Sequence, residues 1–468
     1  MKHPLLTLCS ALLTLSLAGG PHAAPLTIDA DKQKSVTLTL YNQDLGLIRD
    51  ERSIPRINPG QTLYIKDVSH QMMSETLRIE QAGQIIEQNL NTNLISAHAL
   101  LQAYTGKTLQ LARINPATGQ ESLYDITLLS VAGADAVIQS AGLIETIPLN
   151  SRDWRFVFPS IPQGMQSRPS LEVRSQGTST ASDAVLTYLS RGLNWQMDYA
   201  ITLNAEGNKL ALDGLATLNN RTGVDYNDSK IMLMAGQVNQ VTAAPMRKQR
   251  EVMMAMADSA QSGQPREFQD YQLYSLPRTT SLLNGQTKQV SLIAADKVKA
   301  DKEYHYNFSV YPRPDRNKHE NRPAIKLKFL NQQQNSLGFP LPAGNARVFS
   351  PDAEGIKHFI GSARINHSAA GQEISMALGK AFDLNIKRRQ TGFNKNYDSH
   401  IIAQELILSN SKSQAATIIV NSDFSQKWDI QDSNHPFDRV NASRARWNIE
   451  VPAKGEIKLS FRVKLNKP

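Results

Sequence analysis

The chain has a single cysteine, Cys9, and it falls inside an apolar leader. A mature protein without a thiol excludes disulfides, thiolate metal sites and cysteine nucleophiles. A lipid anchor on Cys9 fails as well, because Leu8 stands where a small residue is needed and the segment before it is short. Beyond the leader there is no run of about 18 apolar residues, so no transmembrane segment is expected. Catalytic and phosphate-binding strings are missing too: the chain holds no G-x-S-x-G, H-E-x-x-H, Walker-type loop or G-x-G-x-x-G. The cheap indications of catalysis are gone, although catalysis by residues that folding assembles stays open.

What is present begins with compartment. Residues 1–24 read as a secretory signal peptide: Lys2 and His3 at the start, an apolar run from Leu5 to Ala18, then Gly19-Gly20-Pro21-His22-Ala23-Ala24. Cleavage is placed after Ala23, since a cut after Ala24 would leave Pro25 beside the scissile bond. The expectation is an exported protein, periplasmic in the first instance, with the cell surface or secretion as alternatives. Its formal charge of +9 outside the cytoplasm favours an anionic polysaccharide, lipid headgroups or an acidic protein over nucleic acid. No dense basic block accompanies that charge. The nearest approaches, Met246-Arg247-Lys248-Gln249-Arg250 and Lys387-Arg388-Arg389, read as solvated faces.

Period-two alternation dominates the mature chain and predicts an all-β, β-rich fold of tandem antiparallel β-sandwich domains. The C-terminal segment is the clearest case. There Ile457, Leu459, Phe461, Val463 and Leu465 interleave with Lys458, Ser460, Arg462 and Lys464. The pattern recurs at Val36, Leu38 and Leu40, at Leu210 and Leu212, and at Ile325, Leu327 and Phe329. Turn chemistry separates the runs, as at Asn58-Pro59-Gly60, Asn284-Gly285 and Pro342-Ala343-Gly344. One short helix is expected over Ser96 to Ala103, with Leu100, Leu101 and Tyr104 on a face and Gly106 as its stop. The expected organisation is an N-terminal β domain with that helix over 25–159, a central sandwich over 160–330, and an immunoglobulin-like C-terminal sandwich over 331–468. A Met-rich linker, 242–269, interrupts the central sandwich. Its methionines suit copper(I), but their spacing is irregular and no histidine joins them, so no cofactor is assigned.

Several sets of residues were weighed for chemistry. Asp225, Asn227 and Ser229 have the spacing of a calcium loop, yet Lys230 replaces the required glycine and Gly236 the bidentate glutamate, which favours a polar turn. His305, His319, His358 and His367 match no zinc spacing. Among the acids, Asp198, Asp213, Asp225, Asp383 and Glu405 could pair only through the fold. Trp195 and Trp428 are the aromatics that would stack on a sugar. Trp195 shares its face with Leu193, Met197 and Tyr199, which reads as core. No catalytic, cofactor-binding or metal residue is assigned.

The string Leu186-Thr187-Tyr188-Leu189-Ser190-Arg191-Gly192-Leu193-Asn194-Trp195, followed by Leu218-Asn219-Asn220, Asp225-Tyr226 and Ala235-Gly236-Gln237-Val238-Asn239, resembles the domain of unknown function family 4139. That domain also forms the C-terminal part of mucoidy-inhibitor-like proteins. Further strings follow in order: Tyr271-Gln272-Leu273-Tyr274-Ser275-Leu276-Pro277, then Leu337-Gly338-Phe339-Pro340-Leu341-Pro342-Ala343-Gly344, then Gly379-Lys380-Ala381-Phe382-Asp383 and Trp428-Asp429-Ile430. The resemblance covers nearly the whole mature chain. It implies a β-rich exported protein loosely associated with surface polysaccharide, and no catalytic residues. Relatives often carry an acid just after the position of Gly361, where this chain has Ser362.

The Leu-Gly-x-Pro-Leu-Pro-Ala-Gly string also has a reading of its own. Pro340 and Pro342 lack N–H donors, and Gly338 and Gly344 permit tight turns, so the segment is a rigid loop and not a central strand. Gly338, Pro340, Pro342, Gly344 and Arg347 form the candidate ligand-facing loop, with a stiff crossover between sheets as the alternative. The functional expectation is a non-enzymatic envelope protein that binds or organises a polysaccharide or another envelope protein. The alternative is a hydrolase of envelope glycans whose carboxylates are brought together by folding.

Overall fold

The computed structural model describes residues 26–176, 178–236, 238–239, 266–268 and 270–466. The segment expected to be a signal peptide and most of the Met-rich segment lie outside the described residues. Strands make up 62% of the described residues and helix 4%, which establishes an all-β fold. Alternation translates directly into burial. In the strand Glu456–Asn466, Leu459, Phe461, Val463 and Leu465 are buried while Lys458, Ser460, Arg462 and Lys464 point away. Each such apolar side chain taken from water contributes about 1.5–3 kcal/mol.

The chain divides into two compact units. The first takes the residues up to Ser35 together with Arg49–Tyr188, and the second takes Val36–Ile48 and Leu189–Pro468. The N-terminal module expected to end at 159 thus runs on to Tyr188, and the modules expected over 160–330 and 331–468 fall mainly in one unit. In the first unit a four-stranded sheet runs in the order Leu26–Ile28, Thr62–Lys66, Ser170–Gln176, Gln84–Asn91. A five-stranded meander runs Leu143–Pro148, Asp135–Ser140, Glu121–Ala132, Thr108–Ile114, Trp154–Val157. The expected helix is Ala97–Tyr104. Ser96 caps it, its Oγ accepting from Ala99 N at 3.1 Å. Gly106 ends the turn with φ +79°. Leu101 and Tyr104 pack on Leu109, Ile126, Leu128 and Ile138 of the meander.

In the second unit a ten-stranded sheet and a five-stranded sheet share an apolar core. Tyr306, Val310, Ile418, Val420, Trp447 and Ile449 of the larger sheet meet Leu384, Ile386, Ile402, Leu406, Phe461 and Val463 of the smaller. Trp447 and Phe461 stack at 4.7 Å. One strand, Thr287–Val310, is 24 residues long. Its first part pairs with Lys209–Asn220, and its end pairs with Ala416–Phe424 and Ala324–Leu330. The sandwich that was expected to open at 331 therefore takes its first wall from residues before 311.

Two further expectations are corrected. The sheets are not wholly antiparallel, because Leu193–Leu203 pairs in parallel with Gly344–Pro351, and Thr287–Val310 with Ala416–Phe424. Parallel neighbours are linked by long excursions that alternation cannot reveal. Arg266–Phe268, placed inside the linker, is instead a strand against Tyr271–Leu273. Phe268 and Tyr271 are good strand formers.

Candidate functional site

The loop from Gly338 to Gly344 is held from behind. Tyr199 Oη donates to Pro342 O at 2.7 Å, and Tyr274 Oη donates to Pro340 O at 2.9 Å. Burial pushes both phenols upward, so both remain donors. Asn331 donates to Phe339 O at 2.9 Å and accepts from Gly338 N at 2.9 Å. His367 Nδ1 accepts from Ala343 N at 3.2 Å. A Cβ on Gly344 would lie 2.3 Å from Met197 O, which is why glycine opens the strand there. Pro342 and Gly344 are buried. The segment has the geometry of a crossover braced by tyrosines. Arg347 alone of the set is well exposed, and its Nη1 lies 3.3 Å from Asp198.

The other sequence candidates also come to rest on structural partners. Asp198 is buried and accepts from Thr217 Oγ1 at 2.7 Å. Asp225 accepts from Asn284 N at 2.7 Å just before the strand Tyr226–Ala235, which contains Asn227 and Ser229, so most of the calcium-like segment is strand and not the turn expected. Asp213 and Asp383 are exposed. Glu405 is buried between Lys458 at 2.5 Å and Arg389 at 2.6 Å, and the bond from Lys458, with that from Arg389, holds its carboxyl below the usual range. His305 bonds Glu303 at 2.6 Å, His319 bonds Asp315 at 2.8 Å and His358 bonds Asp352 at 2.7 Å. Among the described residues, no three His, Cys, Asp or Glu side chains gather as a metal-ligand set. Trp195 is core: it is 1% exposed and donates to Met234 O at 3.0 Å. Trp428 is buried too, with the Arg439 guanidinium 3.6 Å from its ring.

The basic face expected of the C-terminal strand is largely compensated. Lys464 lies opposite Asp429, Arg462 opposite Asp432, and Lys458 bonds Glu405. Such pairs on a solvated sheet leave little net field. Positive charge that is only partly compensated is found elsewhere, at one end of the sandwich core.

Here the inward row of the strand Leu384–Lys395 changes character. Leu384 and Ile386 are buried in the core, and the next inward positions are Arg388 and Gln390. The neighbouring strand contributes Gln404, two positions from buried Ile402 and Leu406. Because side chains alternate, polar residues in this row cannot turn to solvent. They line a cavity of about 670 Å³, closed on the other side by the segment that follows Val310. That segment brings Tyr311, Arg313, Asp315 and Arg316, and His319 comes from the strand Lys318–Asn321. The volume suits a small-molecule or oligomer subsite, which runs about 300–1,000 Å³.

Arg388 is the centre of this cavity wall. It is 8% exposed, its Nη1 donates to Gln404 Oε1 at 3.2 Å, and its Nη2 lies 3.5 Å from Asp315. Its guanidinium also sits 5.1 Å from the Phe308 ring. Nε has no hydrogen-bond partner. Burial pushes the neighbouring Tyr306 phenol up, and the Arg388 charge pulls against that. Asp315 is divided between Arg388 and His319; the His319 bond is the main cause that holds its carboxyl below the ordinary range. Gln390 fixes the segment by accepting from Asp315 N. Three arginines thus face one carboxylate.

A second buried arginine shows what a finished structural site looks like. Arg52, in the first unit, is 1% exposed, with Nε and Nη2 on Asp50 at 2.9 and 2.7 Å. Its Nη1 donates to Lys66 O at 2.6 Å, and Nη2 also to Asp67 O at 3.0 Å. Every nitrogen is engaged by a carboxylate or a carbonyl. Arg388 has a neutral amide, the Tyr306 phenol, a shared carboxylate at longer range and an orphan nitrogen. A desolvated cation with so incomplete a shell beside a cavity favours an anion. Sequence reasoning placed Lys387-Arg388-Arg389 on a solvated face, although the spacing from Leu384 and Ile386 marks Arg388 as inward.

No protein-family model matches the chain, and no curated protein matches it.

Proposed function

We propose that this protein is an exported, non-enzymatic envelope protein that binds or organises an acidic surface component, in keeping with the family 4139 resemblance of its ordered strings. The observation that carries the reading is the cavity with Arg388 in its wall, where a buried guanidinium has one carboxylate, Asp315, at 3.5 Å and shared with His319, in place of the close bidentate pair that completes Arg52. Charge elsewhere on the same sheet is compensated, so binding there would be weak and salt-sensitive. Buried Asp198 and Glu405 each contact a basic side chain at the distances given above, which fits support better than acid–base work. No membrane helix competes with this reading: no helix among the described residues is long and apolar enough to cross a bilayer.

The test is co-sedimentation of the mature protein with peptidoglycan, lipopolysaccharide and capsule-type polysaccharide across a salt series, with the supernatant assayed for released sugar. Saturable binding that persists well above physiological salt, without release, is expected. Reducing sugar in the supernatant would replace this reading with the glycan hydrolase, and binding lost at modest salt would reduce it to non-specific attraction.

A further inference from the structure

The cavity chemistry narrows what it takes. Building on the binding reading above, we propose that it accepts the carboxylate of an acidic sugar unit in a polysaccharide, with Arg388 holding the carboxylate and Tyr311 carrying the ring.

The guanidinium has five N–H donors. Gln404 takes one, Asp315 faces another and the Tyr306 phenol bonds a third, so an incoming anion would take the two that remain, side by side with Asp315. Charge discriminates among anions. Asp315 stands in the same wall, and a phosphate monoester carrying about −1.5 to −2 would meet more repulsion from it than a singly charged carboxylate. A sulfate ester is singly charged but a far weaker hydrogen-bond acceptor. Arg313 and Arg316 are exposed at the rim and add attraction at longer range.

Tyr311 supplies the second half of the recognition. It is 51% exposed although it lines the cavity, and the Arg313 guanidinium lies 5.5 Å from its ring. An aromatic ring held at a polar cavity mouth offers an apolar face to the C–H side of a pyranose, while its edge stays wet. Ser309 and Asn317 on the same wall offer donors and acceptors for sugar hydroxyls. A small inorganic anion would use the guanidinium and leave this ring idle.

The experiment is calorimetric titration of the full mature chain with trigalacturonate, with its carboxyl-reduced neutral counterpart, and with a sulfated galactose trisaccharide. Trigalacturonate is expected to bind roughly ten- to hundredfold more tightly than the neutral sugar. Arg388→Gln should remove that difference. Tyr311→Ala, at an exposed position that the fold tolerates, should weaken trigalacturonate binding roughly three- to tenfold and keeps the test decisive if the Arg388 variant does not fold. Equal binding of the sulfated and carboxylated sugars, or uronate binding indifferent to both substitutions, would overturn the carboxylate assignment and leave the broader reading standing. No binding of any trisaccharide, with envelope co-sedimentation retained, would do the same. Loss of both would overturn the two together.

Discussion

Removing one hydroxyl behind the proline loop tests whether that loop is a braced crossover. Tyr199→Phe deletes the donor 2.7 Å from Pro342 O, and Tyr274→Phe deletes the donor 2.9 Å from Pro340 O. The chemistry removed is the same, but the carbonyls differ in setting: Pro342 is buried, whereas Pro340 is half-buried. A buried acceptor left without a partner costs about 1–3 kcal/mol, whereas one that water can reach costs about 0.5–1.5 kcal/mol. Because the second unit is large and its unfolding need not be two-state, local opening is the better readout. Amide hydrogen exchange at Leu341, which donates to Ser368 O, and at Ala343, which donates to His367 Nδ1, reports it. Tyr199→Phe should accelerate exchange there by roughly five- to hundredfold, and Tyr274→Phe by roughly two- to tenfold. Exchange unchanged within about twofold in Tyr199→Phe, or a larger effect from Tyr274→Phe, would refute the bracing argument.

Two further outcomes follow from other sites. The carboxyl of Glu405 is held below its ordinary value by Lys458 and Arg389, so its stabilisation is present above the unfolded pKa and fades as pH falls through the folded one. Glu405→Gln should therefore lower stability near pH 7 and flatten the acid limb below about pH 4.5, as read from urea midpoints across pH; an unaltered acid limb would count against the assignment. In the first unit, Ser96→Ala removes the cap on Ala97–Tyr104 and should cost about 1 kcal/mol, with faster exchange at Ala99 as its local signature.

How far the sequence was legible depended on whether a signal was local. Period-two runs placed the strands, and the apolar company of Trp195 placed it in the core, because a sheet face repeats every second residue. The helix was legible from Ser96 and Gly106. Parallel pairing was not, since Met197 meets Gly344 and Tyr304 meets Ile418 only through long-range contacts with no local mark. The bracing of the candidate loop was not legible, because its partners Tyr199, Tyr274 and His367 come from distant parts of the chain. Arg388 was missed for a different reason. Its basic neighbours Lys387 and Arg389 suggested a solvated block, while the same alternation that placed Leu384 and Ile386 inward also placed Arg388 there.

The segment Val36–Ile48 belongs to the second unit although most of its near neighbours in sequence belong to the first. Thr37–Leu40 runs beside Lys230–Leu233, and Asn42 Nδ2 donates to Trp195 O across 153 positions of chain. One edge of the strand Gln33–Leu40 pairs at once with its neighbour Gly46–Ser53, but the other edge has only late partners. That edge must wait until more than a third of the polypeptide has followed it, and closing so long a loop delays the contacts that reward it. Folding of the second unit should accordingly be slow, and its last step should be the seating of this early strand. A refolding pulse-label at Leu38 and Leu40, protected late, would make that order of events visible.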